Sequence, residues 1–462
     1  MAGIESYAVY VPTGRLDRAT IGKTLGTPRK RGTRPVASYD EDSTTLAVAA
    51  VRRATGAARR IDGSLWFATS RPAYLEKSNA ATVAISGGLP EECAAYDVGG
   101  ALRGGAGALR AGLTEGNAVV VASDLRYALP GSADESEGAD AAAGFVTGPD
   151  PVAELLGSVS ITKELLERWR EPGEARTRTW EDRFGAEEYV PLGQRALTEV
   201  LGRCELTGED LHKVVISTPH SRTRAALRKR FNTEQVDLGA VTDLGYAGTA
   251  DLGLGLVAAF EESAPGDLVL AVSVVDGVDA FVFRMTEQHR PGGSGLEALS
   301  TSTVEVSYAD FLSWRGLLPR EPARRPDMKP PVPPASRRTS EWKFGFVASR
   351  CTECDYRNLP PRRVCLRCNA RDSSVPEPMF DVSAHVATLT DDWLSESVQL
   401  PAKVVAVDFE GGGRFEFELA DAMGHTVHIG DPVEPTFRVA GVAGNKVRNY
   451  IWKVRPHREE DC

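Results

Sequence analysis

Four of the seven cysteines form two closely spaced pairs, Cys351 with Cys354 and Cys365 with Cys368. Two residues separate the members of each pair and ten residues separate the pairs, which is the spacing of a tetrahedral zinc site built from thiolates. Because all four ligands would be protein side chains, no coordination position stays open, and the zinc is predicted to be structural. The other three cysteines are scattered, which is not the pattern of a secreted disulfide framework: Cys93, Cys204 and Cys462.

A second candidate for chemistry is a run of small residues, 99–108, that follows a short strand. Glycines let a backbone approach a bound acyl group closely, and the start of the following helix presents free N–H donors. The side chain at the tip of this elbow is that of Leu102, which can neither attack a thioester nor carry an acyl group. The stretch therefore resembles a nucleophile site that lacks its nucleophile.

Two charged segments precede the elbow. Residues 40–42 are three consecutive acids before helical apolar spacing from Leu46 to Ala54, so they are predicted to lie at a helix N-terminus, where carboxylates are favoured. The basic loop of residues 28–35 has two interpretations, a solvated surface or a contact for the phosphates of a nucleotide-tailed substrate such as coenzyme A.

An internal repeat must position these residues. In the first half, a strand at 64–70 is followed by the elbow, a small-residue helix and a strand at 116–123. In the second half, a strand at 214–220 is followed by a turn at 242–246, a helix and a strand at 266–273. Continuous apolar runs that alternate with helices predict buried, largely parallel strands. Two such halves predict a layered α/β/α/β/α core.

The segments outside the repeat have their own patterns. Residues 161–170 have the periodicity of an amphipathic helix, and we expect the insertion that contains them to cover a pocket. A helix-like piece at 308–318 is followed by a Pro/Arg-rich stretch, 319–334, that is predicted to be an extended tether. After Phe380, short alternating segments around the glycine turn 411–413 predict a small closed barrel of the OB type.

These patterns divide the chain into five predicted regions. They are a first α/β half with an insertion at 1–185, a second α/β half at 186–290, a helix and linker at 291–340, a zinc ribbon at 341–379 and an OB-type barrel at 380–462.

Composition narrows the classes of function. The 462 residues are 42% hydrophobic and 26% charged, as expected for a globular protein of two or three domains. No run of about 18 apolar residues occurs, and the first residues lack a basic region followed by an apolar core, so we expect a cytoplasmic protein without a membrane partner. The net charge of -10 argues against nucleic acid as a partner.

Taken together, these motifs carry a resemblance to a known family. Residues 1 to about 290 resemble the thiolase superfamily, most closely its HMG-CoA synthase and ketoacyl synthase III branch. Residues 341–455 resemble the zinc-ribbon OB-fold domain, DUF35, that accompanies many of these proteins. The resemblance implies a homodimer that pairs through its central strands and a substrate that is a thioester of coenzyme A or of an acyl carrier.

The resemblance also assigns roles to single residues. The family's catalytic cysteine falls on Leu102, its catalytic glutamate on Glu41, and the histidine that polarises the thioester carbonyl on His220. The chain departs from the family in two further places. The second elbow, 244–248, lacks the asparagine of the Gly-Asn signature, and the glycine-rich loop before the last strand is reduced to 273–279.

Three functions from different classes agree with this pattern. A leucine removes the covalent route through an acyl-cysteine, whereas His220 and Glu41 would still allow enolate stabilisation and proton transfer. The first function is therefore noncovalent aldol or retro-aldol chemistry, which cysteine-less relatives paired with DUF35 perform, and whose use of tyrosine makes Tyr246 a candidate acid or base. Arg103 and Gly104 are the candidate substrate-binding residues. The alternatives are a cysteine-independent acyltransferase and a noncatalytic acyl-binding subunit that supports a partner enzyme.

Overall fold

The computed structural model describes residues 3–56, 61, 63–301, 303–321, 329–395 and 397–457. The strands of the first 300 residues are β1 Gly3–Tyr10, β2 Gly14–Asp17, β3 Thr33–Val36, β4 Ser64–Thr69, β5 Ala95–Gly99, β6 Ala118–Asp124, β7 Ala141–Gly148, β8 Ala153–Ile161, β9 Arg168–Trp169, β10 Arg178–Thr179, β11 Lys213–Ser217, β12 Leu268–Val274 and β13 Val278–Met285. The later strands are β14 Val304–Glu305, β15 Val347–Cys351, β16 Arg357–Asn358, β17 Ser374–Pro378, β18 Ala384–Asp392, β19 Ala402–Phe409, β20 Arg414–Glu418, β21 Pro432–Val442 and β22 Arg448–Pro456.

The α-helices fall mainly between these strands. They are α1 Arg18–Leu25, α2 Ser43–Thr55, α3 Asn79–Ser86, α4 Gly104–Glu115, α5 Ala133–Glu137, α6 Asp182–Arg203, α7 Ser221–Arg228, α8 Thr233–Val236, α9 Asp251–Glu261, α10 Ala298–Thr301, α11 Tyr308–Trp314, α12 Pro333–Arg338 and α13 Ser340–Gly345. Single 3₁₀ turns cover Gly208–Asp210, Gly239–Val241 and Gly248–Ala250. None of the helices in the described part of the chain is both long enough and apolar enough to cross a membrane.

Nine strands form one sheet in the order β11-β12-β13-β8-β1-β7-β6-β4-β5. The two halves of this sheet are joined by β1 and β8, which pair through only two residues of each strand. Helices α4 and α9 contact each other, and α9 packs against strands of both halves, whereas α2 and α6 lie on the outer faces. The layered α/β core predicted from the repeat is confirmed, but the prediction of largely parallel strands is wrong for the sheet as a whole, because five of its eight strand pairings are antiparallel.

Parallel pairing brings several strand ends to one edge. Strand β4 pairs in parallel with both β5 and β6, with Thr69 opposite Gly99 and Ala68 opposite Ala122. Strands β11 and β12 are parallel as well, and the last residue of β11, Ser217, lies opposite Ser273. The loops that leave these carboxyl ends, including the elbow after β5, therefore converge where ligands of open α/β sheets bind.

The predicted helix at 161–170 is wrong. Strand β8 continues to Ile161, which pairs with Val278 of β13, and β9 pairs with β10 a few residues later. Strand partners distant in sequence outweigh the helical spacing of this segment. The insertion nevertheless brings Glu167 to His220, as described below. That it covers a pocket stays a prediction.

The predicted helix in the linker is confirmed as α11, whose Tyr308 and Phe311 pack with Leu16 and Val36. Much of the predicted tether lies outside the described residues. The five region boundaries stay predictions.

The C-terminal lobe consists of two small sheets. The first, β16-β15-β17, carries the cysteine pairs, and the second has the order β20-β19-β18-β21-β22. Leu419, next to β20, bridges in parallel to Val454 of β22, so the outer strands of the second sheet approach each other. Both sheets are compatible with the predicted zinc ribbon and OB-type barrel. The apolar residues of this lobe and those of α2 belong to one continuous core.

Candidate active site

The elbow lies between β5 and α4. Leu102 is half-buried in the turn that joins them. A Cβ on Gly105 would lie 2.0 Å from the carbonyl oxygen of Thr249, in the turn before α9. The close contact of these two segments explains the glycine. It also places the elbow directly beside the second-half loop that contains Tyr246.

Arg103 points away from the tip of the elbow. Its Nε donates to Asp279 Oδ2 at 2.8 Å, its Nη1 to the carbonyl of Asp276 at 2.8 Å and its Nη2 to Ser160 Oγ at 3.0 Å. These bonds fasten the elbow to β8 and β13. Gly104, the first residue of α4, is half-buried. Substrate binding by both residues stays a prediction.

His220 forms a buried pair with a glutamate of the insertion. It follows β11, is 6% exposed, and its Nε2 lies 3.1 Å from Glu167 Oε2. The imidazole stacks on the ring of Tyr189, with 4.8 Å between the centroids. Both side chains are almost fully buried, so the pair lies in a site closed to bulk water.

Tyr246 lies in the turn before α9, where its N–H donates to the carbonyl of Glu137 at 2.7 Å. Burial raises the pKa of its hydroxyl, and the charge of Asp251 raises it further. The guanidinium carbon of Arg126 lies 5.6 Å from the centre of the Tyr246 ring. Tyr246 is therefore a protonated phenol that can give a proton to a strong base such as an alkoxide.

Asp124, the last residue of β6, ties two of the converging loops together. It accepts bonds from Thr69 Oγ1, Ser70 N and Ser70 Oγ at 2.8 to 3.0 Å, and from Thr249 N at 2.8 Å. Gly248 has a φ of +63°, and a Cβ there would lie 2.1 Å from Asp124 Oδ2. The carboxylate thus fixes the loop after β4 against the loop that carries Tyr246.

Asp134 connects the histidine to the arginines of the site. It forms an ion pair with Arg168. Burial raises its pKa, but Arg168, Arg126 and His220 together outweigh burial, and the net shift is downward. Because Glu167 and Arg168 are consecutive residues, the His220–Glu167 pair and the Arg168–Asp134 pair are neighbours.

Glu41 lies elsewhere, at the contact between α2 and the C-terminal lobe. Its Oε1 accepts from the Tyr10 hydroxyl at 2.5 Å and pairs with Arg438, and its Oε2 accepts from Ser38 N at 2.8 Å. Burial raises the pKa of Glu41, and Arg438 opposes this effect. The structure does not bring Glu41 and His220 into contact, and the catalytic role of Glu41 stays a prediction.

The two acids beside Glu41 also bind the lobe. Asp40 Oδ2 accepts from Lys453 Nζ at 2.9 Å, and Asp42 Oδ2 accepts from the Tyr450 hydroxyl at 2.7 Å. Asp42 also caps α2, because its Oδ1 accepts from the first turn of that helix. The predicted position of the acids at a helix N-terminus is confirmed.

The four clustered cysteines meet as their spacing predicts. Their sulfur atoms all lie within 4.8 Å of one another, and the Cys351–Cys368 and Cys354–Cys365 pairs are both 3.6 Å apart. Four thiolates around one zinc would lie about 3.8 Å apart, given Zn–S bonds of about 2.3 Å, so the residues fit this metal.

Burial raises the pKa of both Cys93 and Cys204, which disfavours either as a thiolate nucleophile.

Sequence reasoning missed Glu167, Tyr189, Asp124 and Arg126. The sequence did contain a signal for Asp124. An acid at the end of a run of apolar strand residues lies at the carboxyl end of that strand, where ligands of open α/β sheets bind. Glu167 and Tyr189 carried no comparable signal, since nothing in the chain near them indicates proximity to His220.

The comparisons with known proteins agree with this architecture. No protein-family model matches the chain. It is 30% identical over 335 residues to the hydroxymethylglutaryl-CoA synthase of Methanopyrus kandleri, with 67% of this chain and 95% of the relative covered. It is 28% identical over 345 residues to that of Picrophilus torridus, with 69% and 98% covered.

Solved structures show the same fold. One is an HMG-CoA synthase complexed with CoA, at a TM-score of 0.61 and 15% identity, with 72% of this chain and 95% of that chain covered. Another is MvaS in complex with 3-hydroxy-3-methylglutaryl coenzyme A, at a TM-score of 0.58 and 21% identity, with 72% of this chain and 94% of that chain covered. A third is the HMG synthase of the curacin biosynthetic pathway in complex with acetyl donor-ACP, at a TM-score of 0.57 and 15% identity, with 68% of this chain and 88% of that chain covered.

Proposed function

Because the chain belongs to the hydroxymethylglutaryl-CoA synthase family, we propose that it performs aldol or retro-aldol chemistry on an acyl thioester without a covalent acyl-enzyme. In this proposal Leu102 occupies the position of the family's nucleophile. The observation that carries the proposal is the buried His220–Glu167 pair, which supplies a hydrogen-bond donor and a proton carrier although the elbow has no nucleophile.

The reaction needs only proton transfers and one carbon–carbon bond. In the aldol direction a base removes a proton from the carbon next to the thioester, the enolate attacks a carbonyl, and the new alkoxide takes a proton. The retro-aldol direction is the reverse. His220 donates a hydrogen bond to the thioester oxygen, where negative charge develops, and such a donor contributes about 3 to 4 kcal/mol. Tyr246 exchanges the proton of the alkoxide oxygen.

We assign the proton at carbon to Glu167. Its carboxylate lies 3.1 Å from His220 Nε2. Glu41, which the sequence predicts for this role, is bound instead to Arg438 and Tyr10.

The proposed substrate is a thioester of coenzyme A or of an acyl carrier protein. Related structures bind CoA, a hydroxymethylglutaryl thioester or an acetyl donor carrier. In the basic loop of residues 28–35, Lys30 pairs with Glu137 and Arg34 is buried, whereas Arg29 and Arg31 are exposed. The two exposed arginines are the candidates for phosphate contacts.

The other parts of the proposal concern assembly. We assign the C-terminal lobe to the DUF35 type, with one structural zinc held by the four cysteines. We also propose a homodimer through β5, the edge strand of the nine-stranded sheet. Tyr96 on this strand is 50% exposed, which supports an interface at this edge.

Incubation with a panel of β-hydroxyacyl-CoA thioesters tests the reaction. The expected products are a shorter acyl-CoA and a carbonyl compound, and His220→Ala is expected to lower turnover by about 10²- to 10³-fold. Glu167→Gln should lower it as well, whereas the matched Glu188→Gln, an exposed acid nearby on α6, should not.

Two results would contradict the proposal. One is wild-type turnover in His220→Ala, and the other is an acyl adduct on Cys93 or Cys204 in the mass spectrum.

Acyl transfer to a small acceptor without cleavage of a carbon–carbon bond would favour the acyltransferase. Thioester binding without turnover, restored by an added partner enzyme, would favour the acyl-binding subunit. Leu102→Cys should acquire an acyl group if the elbow is the vacant nucleophile position.

A further inference from the structure

Three arginines that have no anionic partner among the described residues lie near one another, and one of them, Arg126, contacts the ring of Tyr246. Arg71 follows β4, Arg126 follows β6 and Arg170 belongs to the insertion, and we call these three residues the arginine cluster. They are neighbours, because Arg71 Nη2 donates to the carbonyl of Tyr127, next to Arg126, at 3.4 Å and Arg170 Nη2 donates to the carbonyl of Ser70, next to Arg71. Burial lowers the pKa of Arg71, and the repulsion between the positive charges lowers it further. Their charge is not needed for the aldol chemistry proposed above.

Arg126 is the most deeply buried member, at 6% exposure. Its guanidinium makes no hydrogen bond or ion pair with any residue that the structure describes, and its recorded contact is the face of the Tyr246 ring. A buried guanidinium without an anion is costly because the desolvation of its charge is not offset. Such a group is expected to meet its anion in a bound ligand.

The acids near Arg126 already have partners. Asp124 accepts four hydrogen bonds from the loops it joins. Asp134 pairs with Arg168. Asp251 accepts from Ala247 N at 3.0 Å. Their remaining charge moderates the repulsion within the cluster, but none of them binds the Arg126 guanidinium.

Arg71 and Arg170 are held in place by backbone carbonyls. Arg71 Nη2 donates to Ala175 at 3.2 Å, and Arg170 Nη2 donates to Ser70 at 2.7 Å. Neither forms an ion pair with a carboxylate in the described part of the chain. Burial, together with the repulsion from Arg170 and Arg126, lowers the pKa of Arg71 to about 10. Carbonyl oxygens orient a guanidinium but leave its charge unneutralised, so the site is built for an added anion.

The position of the cluster identifies the kind of anion. Guanidinium groups bind carboxylate and phosphate through paired hydrogen bonds. The phosphates of coenzyme A and of a carrier arm are separated from the thioester by the whole pantetheine chain. Arg126 contacts the ring of Tyr246, to which the proposed function assigns the proton of the alkoxide oxygen, so an anion bound to Arg126 would lie near the reacting end of the substrate. A carboxylate on one of the two reacting partners fits this place.

We propose that Arg71, Arg126 and Arg170 bind a carboxylate of the substrate, either on the acyl chain or on the carbonyl acceptor. The substrate class is then a thioester of a dicarboxylic acid or an acceptor keto acid. This inference rests on the proposed function, because the anion is placed in the same site. Binding of the free anion tests it separately from turnover.

Calorimetric titration of the full-length protein with glutarate, butyrate and inorganic phosphate is the primary test. We expect glutarate to bind, butyrate to bind at least tenfold more weakly, and Arg126→Gln to weaken glutarate at least tenfold. Arg183→Gln removes an exposed arginine on α6 and should bind glutarate as the wild type does. Absent glutarate binding, or tighter binding of phosphate than of glutarate, would overturn the proposal.

Stability provides a readout that a purely structural arginine would not give. Since Arg126→Gln removes an unpaired buried charge, its thermal midpoint without ligand should equal or exceed that of the wild type. A lower midpoint with unchanged glutarate affinity would show that Arg126 is structural. Arg71→Gln, at a half-exposed member of the cluster, should repeat the loss of affinity if Arg126→Gln does not fold.

Kinetic arms distinguish the two sources of the carboxylate. Two β-hydroxyacyl-CoA substrates are each compared with their methyl ester. In one substrate the carboxylate is on the part that leaves as the shorter acyl-CoA, and in the other it is on the part that leaves as the carbonyl compound. Arg126→Gln should raise the KM at least tenfold for only one of the two acid substrates, and the KM values of both esters should stay unchanged. Equal KM values for acids and esters in the wild type would overturn the proposal. His220→Ala should still bind glutarate, so failure of the catalytic proposal would leave the anion site standing.

Discussion

Tyr246 shows at the residue scale how burial selects a chemical role. Burial and the charge of Asp251 raise its pKa, and Arg126 and Arg168 oppose them only in part. A tyrosine side chain in water has a pKa of about 10. The hydroxyl of Tyr246 therefore stays protonated over a wider range, which suits an acid that protonates the alkoxide in the aldol direction.

We expect Tyr246→Phe to lower kcat by about 10²- to 10⁴-fold, the usual contribution of a general acid, while circular dichroism remains that of the wild type. In the aldol direction the protonated hydroxyl is the active form, and because its pKa is raised, wild-type kcat in that direction should show no tyrosine-dependent decrease up to about pH 10. The control is Tyr189→Phe, which keeps the ring stacked on His220 and should change kcat less than tenfold. Equal effects of the two variants would contradict the assignment.

At the scale of elements, the N-terminus of α2 is where the core holds the C-terminal lobe. Asp40, Glu41 and Asp42 bind Lys453, Arg438 and Tyr450, and the two cations are almost fully buried. The lobe is therefore not a tethered appendage. Removing one partner of a buried ion pair leaves the other charge uncompensated, which costs about 3 to 5 kcal/mol.

Lys453→Met should therefore lower the free energy of unfolding by about 3 to 5 kcal/mol at pH 7, measured by urea denaturation. Burial raises the pKa of Asp40, but Lys453 and Arg438 outweigh it and the net shift is downward. A lowered carboxyl pKa stabilises the fold above the unfolded value, about pH 3.9, and this stability is lost as pH falls through the lower folded value. The difference between wild type and Lys453→Met should thus shrink in acid.

The matched control is Lys403→Met, which removes a partly exposed pair with Asp391 in the same five-stranded sheet. An exposed pair contributes at most about 1 kcal/mol. Equal losses in Lys403→Met and Lys453→Met would show that the buried pair does not hold the lobe.

At the scale of the whole molecule, the cysteine site is linked to the five-stranded sheet of the C-terminal lobe. Phe346 immediately precedes β15, which ends at Cys351, and its ring stacks on that of Trp452 in β22 with 5.2 Å between centroids. A small lobe with a limited core of its own depends on its metal for folding.

Native mass spectrometry should find one zinc per chain, and a strong chelator should open residues 347–378 to limited proteolysis before the α/β core is cleaved. Cys365→Ser should have the same effect, whereas Cys204→Ser, at a cysteine outside the cluster, should retain the zinc. An unchanged cleavage pattern after complete removal of the metal would refute a structural role.

The proposed dimer makes a second prediction at this scale. In a two-fold pair, an edge residue lies near its own copy, so Tyr96→Lys would bring two positive charges together on β5. Sedimentation should give twice the chain mass for the wild type and the single chain mass for Tyr96→Lys. Trp393→Lys, at an exposed site directly after β18, should remain dimeric. A wild-type monomer at all concentrations would exclude the interface.

The sequence by itself determined the features that depend on local spacing. Cysteine spacing predicted the four-sulfur cluster, apolar runs predicted the duplicated layered core, and an acidic start predicted the N-terminus of α2. The helix expected at 161–170 failed because β8 found partners far away in the chain, which no local period records.

Only the tertiary structure decided which side chains meet. Asp40 and Lys453 are 413 positions apart, and the insertion delivers Glu167 to His220 and Arg170 to Ser70 across the fold. The sequence could assign Glu41 to catalysis by its motif, but only the packed lobe places Arg438 on its carboxylate. Local patterns specify elements because their period is set by the backbone, whereas partners depend on how the elements pack.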